Sequence, residues 1–251
     1  MTELKNNSNS EIVLDPRLKT AASFIRPNSV VCDVGTDHAY IPIYLLLNGI
    51  APTAVATDIN KGPLERAKYN AERYGVSERI RFVLANGLCG VEPEREPVDD
   101  IVICGMGGEL IARIIDASDY TRRSGVRLIL QPMTCAPELR GYLAGAGFSI
   151  ITERLCRAAG KLYTCIVAEY DGIIRSFSEA SLILGERNIE NRDPLFAEYT
   201  ASAVYRLNRQ IEGLRVGGHD TTEIQRLLAD VRRLSRYDNC KEKAENNGDE
   251  I

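Results

Sequence analysis

The chain has 251 residues, 44% of them hydrophobic and 26% charged, and a formal net charge of -4. That length holds one substantial α/β domain plus an appendage, and the composition is that of an ordinary globular protein. The negative balance excludes a uniformly basic nucleic-acid binder but leaves a local basic patch open. Seven cysteines form no C-x-x-C pair and no zinc spacing, so a reducing cytoplasm is expected and a metal site is not. The polar stretch from Thr2 to Ser10 lacks a signal peptide's apolar core. No apolar run is long enough to span a bilayer, so no membrane association is expected.

Residues 1–13 read as a disordered start. A short helix is expected from Pro16 to Ile25, with Asp15 as its cap. Strands are then expected at Val30–Val34, Ala54–Thr57, Ile80–Leu84, Ile101–Cys104 and Arg127–Leu130. Helical patterns follow them at Tyr40–Leu47, Leu64–Tyr74, Glu109–Asp116 and Pro137–Ala146. This alternation predicts βαβ units around a parallel sheet. Phe148–Leu155 and Leu162–Tyr170 have no helix between them and read as an antiparallel pair closing that sheet. Beyond Asp171-Gly172, apolar residues recur at helical spacing on both sides of Gly217-Gly218, which predicts a helical hairpin over 173–240. Residues 241–251 read as a disordered tail.

The chemistry gathers at strand ends, where open α/β sheets bind ligands. Asp33-Val34-Gly35-Thr36-Asp37-His38-Ala39-Tyr40-Ile41-Pro42 turns a buried strand into a helix through a glycine flanked by carboxylates. A dinucleotide fingerprint would need G-x-G-x-x-G here, which the chain lacks. A carboxylate beside the ligand repels pyrophosphate and suits a cation such as the sulfonium of S-adenosylmethionine. Asp58 ends the second strand, where an acid grips ribose hydroxyls, with Asn60 just beyond. Asn86-Gly87-Leu88 ends the third, where an amide can meet adenine. Gly105-Met106-Gly107-Gly108 ends the fourth and Gln131-Pro132 the fifth. Taken singly, each also reads as a plain turn. His38 reads as structural or ligand-orienting, because no nucleophile accompanies it. The arginines of the expected hairpin (Arg206, Arg209, Arg215, Arg226, Arg232, Arg233, Arg236) outnumber nearby acids, and either meet RNA phosphates or form a solvated face.

From Leu14 to about Tyr170 the chain resembles the TrmK family, bacterial methyltransferases of N1 of adenine 22 in tRNA. The D-x-G-x-D-H-A-Y-x-P run and G-M-G-G carry the resemblance, with Arg17-Leu18, Gly62-Pro63, Asn86-Gly87-Leu88, Leu128 to Pro132, Leu139-Arg140 and Gly160-Lys161-x-Tyr163. It implies a class I S-adenosylmethionine-dependent methyltransferase: a Rossmann-like, seven-stranded, mostly parallel sheet over 14–172, followed by the helical hairpin. It further implies S-adenosyl-L-methionine as cofactor, tRNA as partner and a monomer. Asp33, Gly35, His38, Asp58, Asn60, Asn86, Gly87, Gly105 and Met106 are expected at the cofactor, and Asp37 as the catalytic carboxylate. Arg17, Tyr40, Gly107, Gly108, Gln131, Arg140, Lys161 and Tyr163 are expected at the substrate. Tyr40, Tyr142 or Tyr163 would stack the extruded base, and Lys19, Arg26, Arg140 and Lys161 would meet phosphates. The family usually has Asp at Asn86, Glu at Asp58 and Asn at Met133. The last departure puts a base contact from that position in question. A methyltransferase of another acceptor and a non-catalytic RNA-binding module are the competing readings.

Overall fold

The computed structural model describes residues 12–92, 97–191 and 193–245, with side chains described to Ser235. The expected disorder of residues 1–11 and 246–251, and the side chain of Arg236, lie outside the described residues. By its internal packing the chain forms two compact units. The first runs to Gly105 and includes Arg113–Gln131; the second holds Met106–Ala112 and the chain from Pro132 onward.

The first unit opens with α1 (Pro16–Ala22), where the Asp15 carboxylate accepts the amides of Arg17 and Leu18 at 2.8 and 3.2 Å. This is an N-cap, with Pro16 in a first-turn position whose N–H would be unpaired in any case. β1 (Val31–Val34) is buried along its whole length, as a central parallel strand must be. α2 (Tyr40–Leu47) follows through Ala39, which sits in the left-handed region at φ 54. β2 (Ala54–Asp58), α3 (Lys61–Arg73) and β3 (Ile80–Leu84) extend the alternation. β4 (Asp100–Gly107), α4 (Gly108–Asp116) and β5 (Arg127–Thr134) continue it. The sheet order is β3-β2-β1-β4-β5-β7-β6, where β6 spans Phe148–Ala158 and β7 spans Lys161–Tyr170. β1 pairs in parallel with β2 and β4, and β2 with β3, whereas β6 and β7 are antiparallel. The sheet is therefore mixed. Placing β7 between β5 and β6 distinguishes it from the 3-2-1-4-5-6 order of dinucleotide folds.

In the second unit, α5 (Ala136–Gly145) precedes the β6–β7 pair, and α6 (Glu179–Leu184) and α7 (Glu186–Glu190) follow it. A helical hairpin of α8 (Phe196–Val216) and α9 (Thr222–Glu245) completes the unit. Phe196, Tyr199, Ala203, Leu207 and Ile211 recur at three and four residues along α8 and pack in one cluster with Leu228, Val231, Ala180 and Leu184. α9 continues to Glu245, into the segment expected to be disordered.

Candidate active site

The register of the first unit aligns the strand ends. Val34 is level with Thr57 and Ile103, and Thr57 with Val83, so the turns after β1, β2 and β3 leave from one edge. Hydrogen bonds lace that edge together. The amides of Gly35 and Thr36 both donate to the Thr57 carbonyl at 2.8 and 2.9 Å. The Thr57 hydroxyl donates to the Gly87 carbonyl at 3.0 Å, and the Ala85 amide to the Asp58 carbonyl at 2.9 Å.

Asp33 sits inside this edge, 7% exposed. Burial drives its carboxyl up to about 6, the Thr36 hydrogen bond opposes the rise, and Asp58 adds to it. Asp58 is half-buried and accepts the Asn60 amide at 2.7 Å; Asn60 and Asn86 are exposed. Gly35 and Gly105 take φ of 77 and 78, conformations that favour glycine. A Cβ on Gly105 would meet nothing within 4 Å, so its surroundings are open. The Gly105 amide donates to Gln131 Oε1 at 3.3 Å.

Asp37 stands on the connection to α2, 59% exposed; it accepts a hydrogen bond from Arg66 Nη2 at 2.5 Å, and its other oxygen lies 3.1 Å from His38 Nε2. The Arg66 bond above all holds this carboxyl below the ordinary range. The His38 ring stacks on Tyr40 at 5.0 Å, and the His38 carbonyl accepts from Asn70 Nδ2 at 3.2 Å. Arg66 has no local sequence signal as a partner of Asp37, because 29 residues separate them.

Several expected substrate residues stand elsewhere. Arg140 is buried: its Nε bonds Glu153 Oε1 at 2.7 Å and its Nη1 bonds the Leu182 carbonyl at 2.7 Å. A guanidinium enclosed in this way reaches no phosphate. Arg26 is committed likewise, to the Asp100 carboxylate and to the carbonyls of Asp99 and Gly125. Gln131 is fully buried beneath Gly105, so it supports the edge and presents nothing to a base. Gly108 is buried too, and a Cβ there would strike the Cys135 carbonyl, so its size serves packing. Gly107 lies near Thr134 Oγ1, which its Cβ would approach to 3.2 Å. Met106 is half-buried on β4. Lys161 is exposed beside the β6–β7 turn and Tyr163 is half-buried on β7. Arg17 is paired with Asp15 at 2.8 Å, and Lys19 is exposed on α1.

An edge with two carboxylates, two exposed side-chain amides and a glycine facing open space accepts hydrogen bonds and positive charge. With the strand order, it defines a methyltransferase of the class I type. Residues 14–166 match the family described as "Methyltransferase domain". A tRNA (adenine(22)-N(1))-methyltransferase of Bacillus subtilis is 35% identical over 194 residues, covering 74% of this chain and 79% of that protein. The chain belongs to this TrmK family. The crystal structure of B. subtilis TrmK aligns at a TM-score of 0.76 with 30% identity, over 90% of this chain and 98% of that one. A Streptococcus pneumoniae protein in complex with S-adenosyl-L-methionine aligns at 0.74 with 34% identity, over 86% and 97%.

Among the described residues, no group of three or more His, Cys, Asp or Glu is placed to hold a metal ion. No described helix is long and apolar enough to cross a membrane.

Proposed function

We propose that the protein transfers the methyl group of S-adenosyl-L-methionine to N1 of adenine 22 in tRNA. The observation that carries this reading is the likeness to the B. subtilis enzyme across three quarters of the chain. The aligned, acceptor-rich edge supports it. When bound, S-adenosyl-L-methionine supplies an electrophilic methyl carbon. Asp58 and Asn60 are suited to its ribose hydroxyls, Asn86 and Gly87 to the adenine, and Asp33 to its positive charge. Gly35, Gly105 and His38 are suited to the walls of that site.

Asp37 faces the adenine of the substrate. Methylation at N1 leaves the ring cationic unless N6 loses a proton. A carboxylate held ionised by Arg66 is a weak base and a constant negative charge, so Asp37 stabilises the charged ring rather than removing the proton. Since N1 lies on the Watson–Crick edge, the adenine is extruded before it reacts. Residues 14–172 carry this chemistry. The hairpin expected over 173–240 is narrowed to α8 and α9, and this pair meets the RNA, with Arg206, Arg215, Arg226 and Arg232 exposed along it. Arg209 and Arg233 on the same hairpin are paired with Glu212 and Asp230. The protein acts as a monomer in the cytoplasm.

The test is a pair of unmodified tRNA transcripts, one with adenine and one with guanine at position 22, incubated with protein and cofactor. Nucleoside mass spectrometry should find 1-methyladenosine in the first alone. A methyl group on another base, or in neither transcript, would sink the assignment.

A further inference from the structure

α3 carries an aromatic and basic face, of which the reaction above uses only Arg66, through its bond to Asp37. Arg66, Tyr69 and Arg73 follow one another at three and four residues, so they share one side of the helix. Tyr69 is 61% exposed, and the Arg73 guanidinium lies 6.0 Å from its ring centre. Tyr40, 42% exposed, borders the same cleft and is backed by the stacked His38. The cleft is an open groove of about 570 Å³ lined by His38, Tyr40, Arg66, Tyr69 and Asn70, with Gly62 and the Glu65 carboxylate at its border; Glu65 is paired with Lys61 at 3.6 Å. The volume lies within the span of small-ligand sites, roughly 300–1,000 Å³.

We infer that this cleft is a second nucleotide subsite, which stacks an unpaired base of the substrate RNA on Tyr69 and Tyr40. Large rings left in water gain by covering, and flat π-faces flanked by guanidinium groups match a base and its phosphate. Arg66 joins the cleft to the candidate catalytic carboxylate, because it lines one and bonds the other. Asp37 itself does not line the cleft, so the base held there is a neighbour of the target adenine and not the target. The inference rests on the tRNA methyltransferase reading.

The experiment measures methylation kinetics on an unmodified tRNA transcript for the wild type, Tyr69→Ala and Tyr69→Phe, with calorimetry of S-adenosyl-L-methionine binding to each. Tyr69→Ala should raise KM for tRNA about tenfold, with kcat and cofactor affinity unchanged. Tyr69→Phe keeps the ring and should match the wild type. The chain has no tryptophan, so Tyr69→Trp adds a single indole whose emission saturating tRNA should quench. A wild-type KM in Tyr69→Ala, a Tyr69→Phe as impaired as Tyr69→Ala, or an unquenched indole each overturns the subsite while leaving the methyltransferase reading intact. A wild type that leaves tRNA unmethylated overturns both.

Discussion

Both compact units bury a carboxylate matched by arginine, Asp100 with Arg26 in the first and Glu153 with Arg140 in the second, but the first also buries Asp33, which has no such partner among the described residues. In the second unit, Glu153 is enclosed with Arg140 as its ion-pair partner at 2.7 Å. Burial alone would depress the Arg140 guanidinium, but Glu153 and Tyr199 more than offset it, and its pKa ends above the ordinary value. In the first unit, Asp33 is enclosed with the Thr36 hydroxyl and a second carboxylate nearby, and its pKa climbs to about 6. A buried charge that is matched within the fold is a strut. One whose match is missing is a place for a cationic ligand.

The largest way to break that comparison is to unmatch the strut. Arg140→Ala leaves the Glu153 charge buried and alone, and should cost about 3–5 kcal/mol of unfolding free energy in urea titrations. Replacing both partners together, as Arg140→Met with Glu153→Leu, should cost far less, because no charge is stranded. Equal losses in the single and double variants would show that the pair is not what holds this region.

The next effect lies in the reaction itself. On the role proposed for Asp37, Asp37→Asn should lower kcat roughly a hundredfold at unchanged cofactor affinity, since it removes the negative charge proposed to stabilise the methylated ring. Because Arg66 holds Asp37 below the usual carboxylate range, that charge persists as pH falls until the depressed pKa is reached. Arg66→Ala should therefore move the acidic limb of the kcat profile upward in pH. A smaller effect tests the packing reading of Gly108. Gly108→Ala forces a Cβ against the Cys135 carbonyl and should destabilise by about 1–3 kcal/mol in thermal melts. A neutral outcome would return that glycine to the substrate side.

Much of this architecture was legible in the residues, most clearly where apolar runs stop at turn signals. α2 and β3 have the bounds that periodicity predicts, Tyr40–Leu47 and Ile80–Leu84. β4 and β5 run beyond their apolar stretches, through Gly105-Met106-Gly107 and Gln131 to Thr134. Extended backbone continues past the unbroken apolar runs into glycines and polar residues, so hydropathy ends those strands too early. Gly108 looked like a ligand contact because sequence cannot show the Cys135 carbonyl packed against it. Arg140 looked like a phosphate contact because its partner lies 13 residues away on another element. The Asp37–Arg66 pair was hidden for the same reason.

Asp33 is the buried carboxylate with no cation beside it among the described residues of the fold. Its folded pKa lies above its ordinary value of 3.8, so the ligand-free fold binds a proton more tightly than the unfolded chain. Stability without ligand therefore falls as pH rises from 3.8 to about 6. A bound cation reverses the preference by favouring the ionised carboxylate. Calorimetry of S-adenosyl-L-methionine binding near pH 5, in buffers of different ionisation enthalpy, reads that coupling directly. The account predicts release of about one proton per cofactor bound, weaker affinity than at pH 7, and loss of both effects in Asp33→Asn. Binding that releases no proton, with the same affinity at both pH values, would contradict the claim that Asp33 awaits a cation.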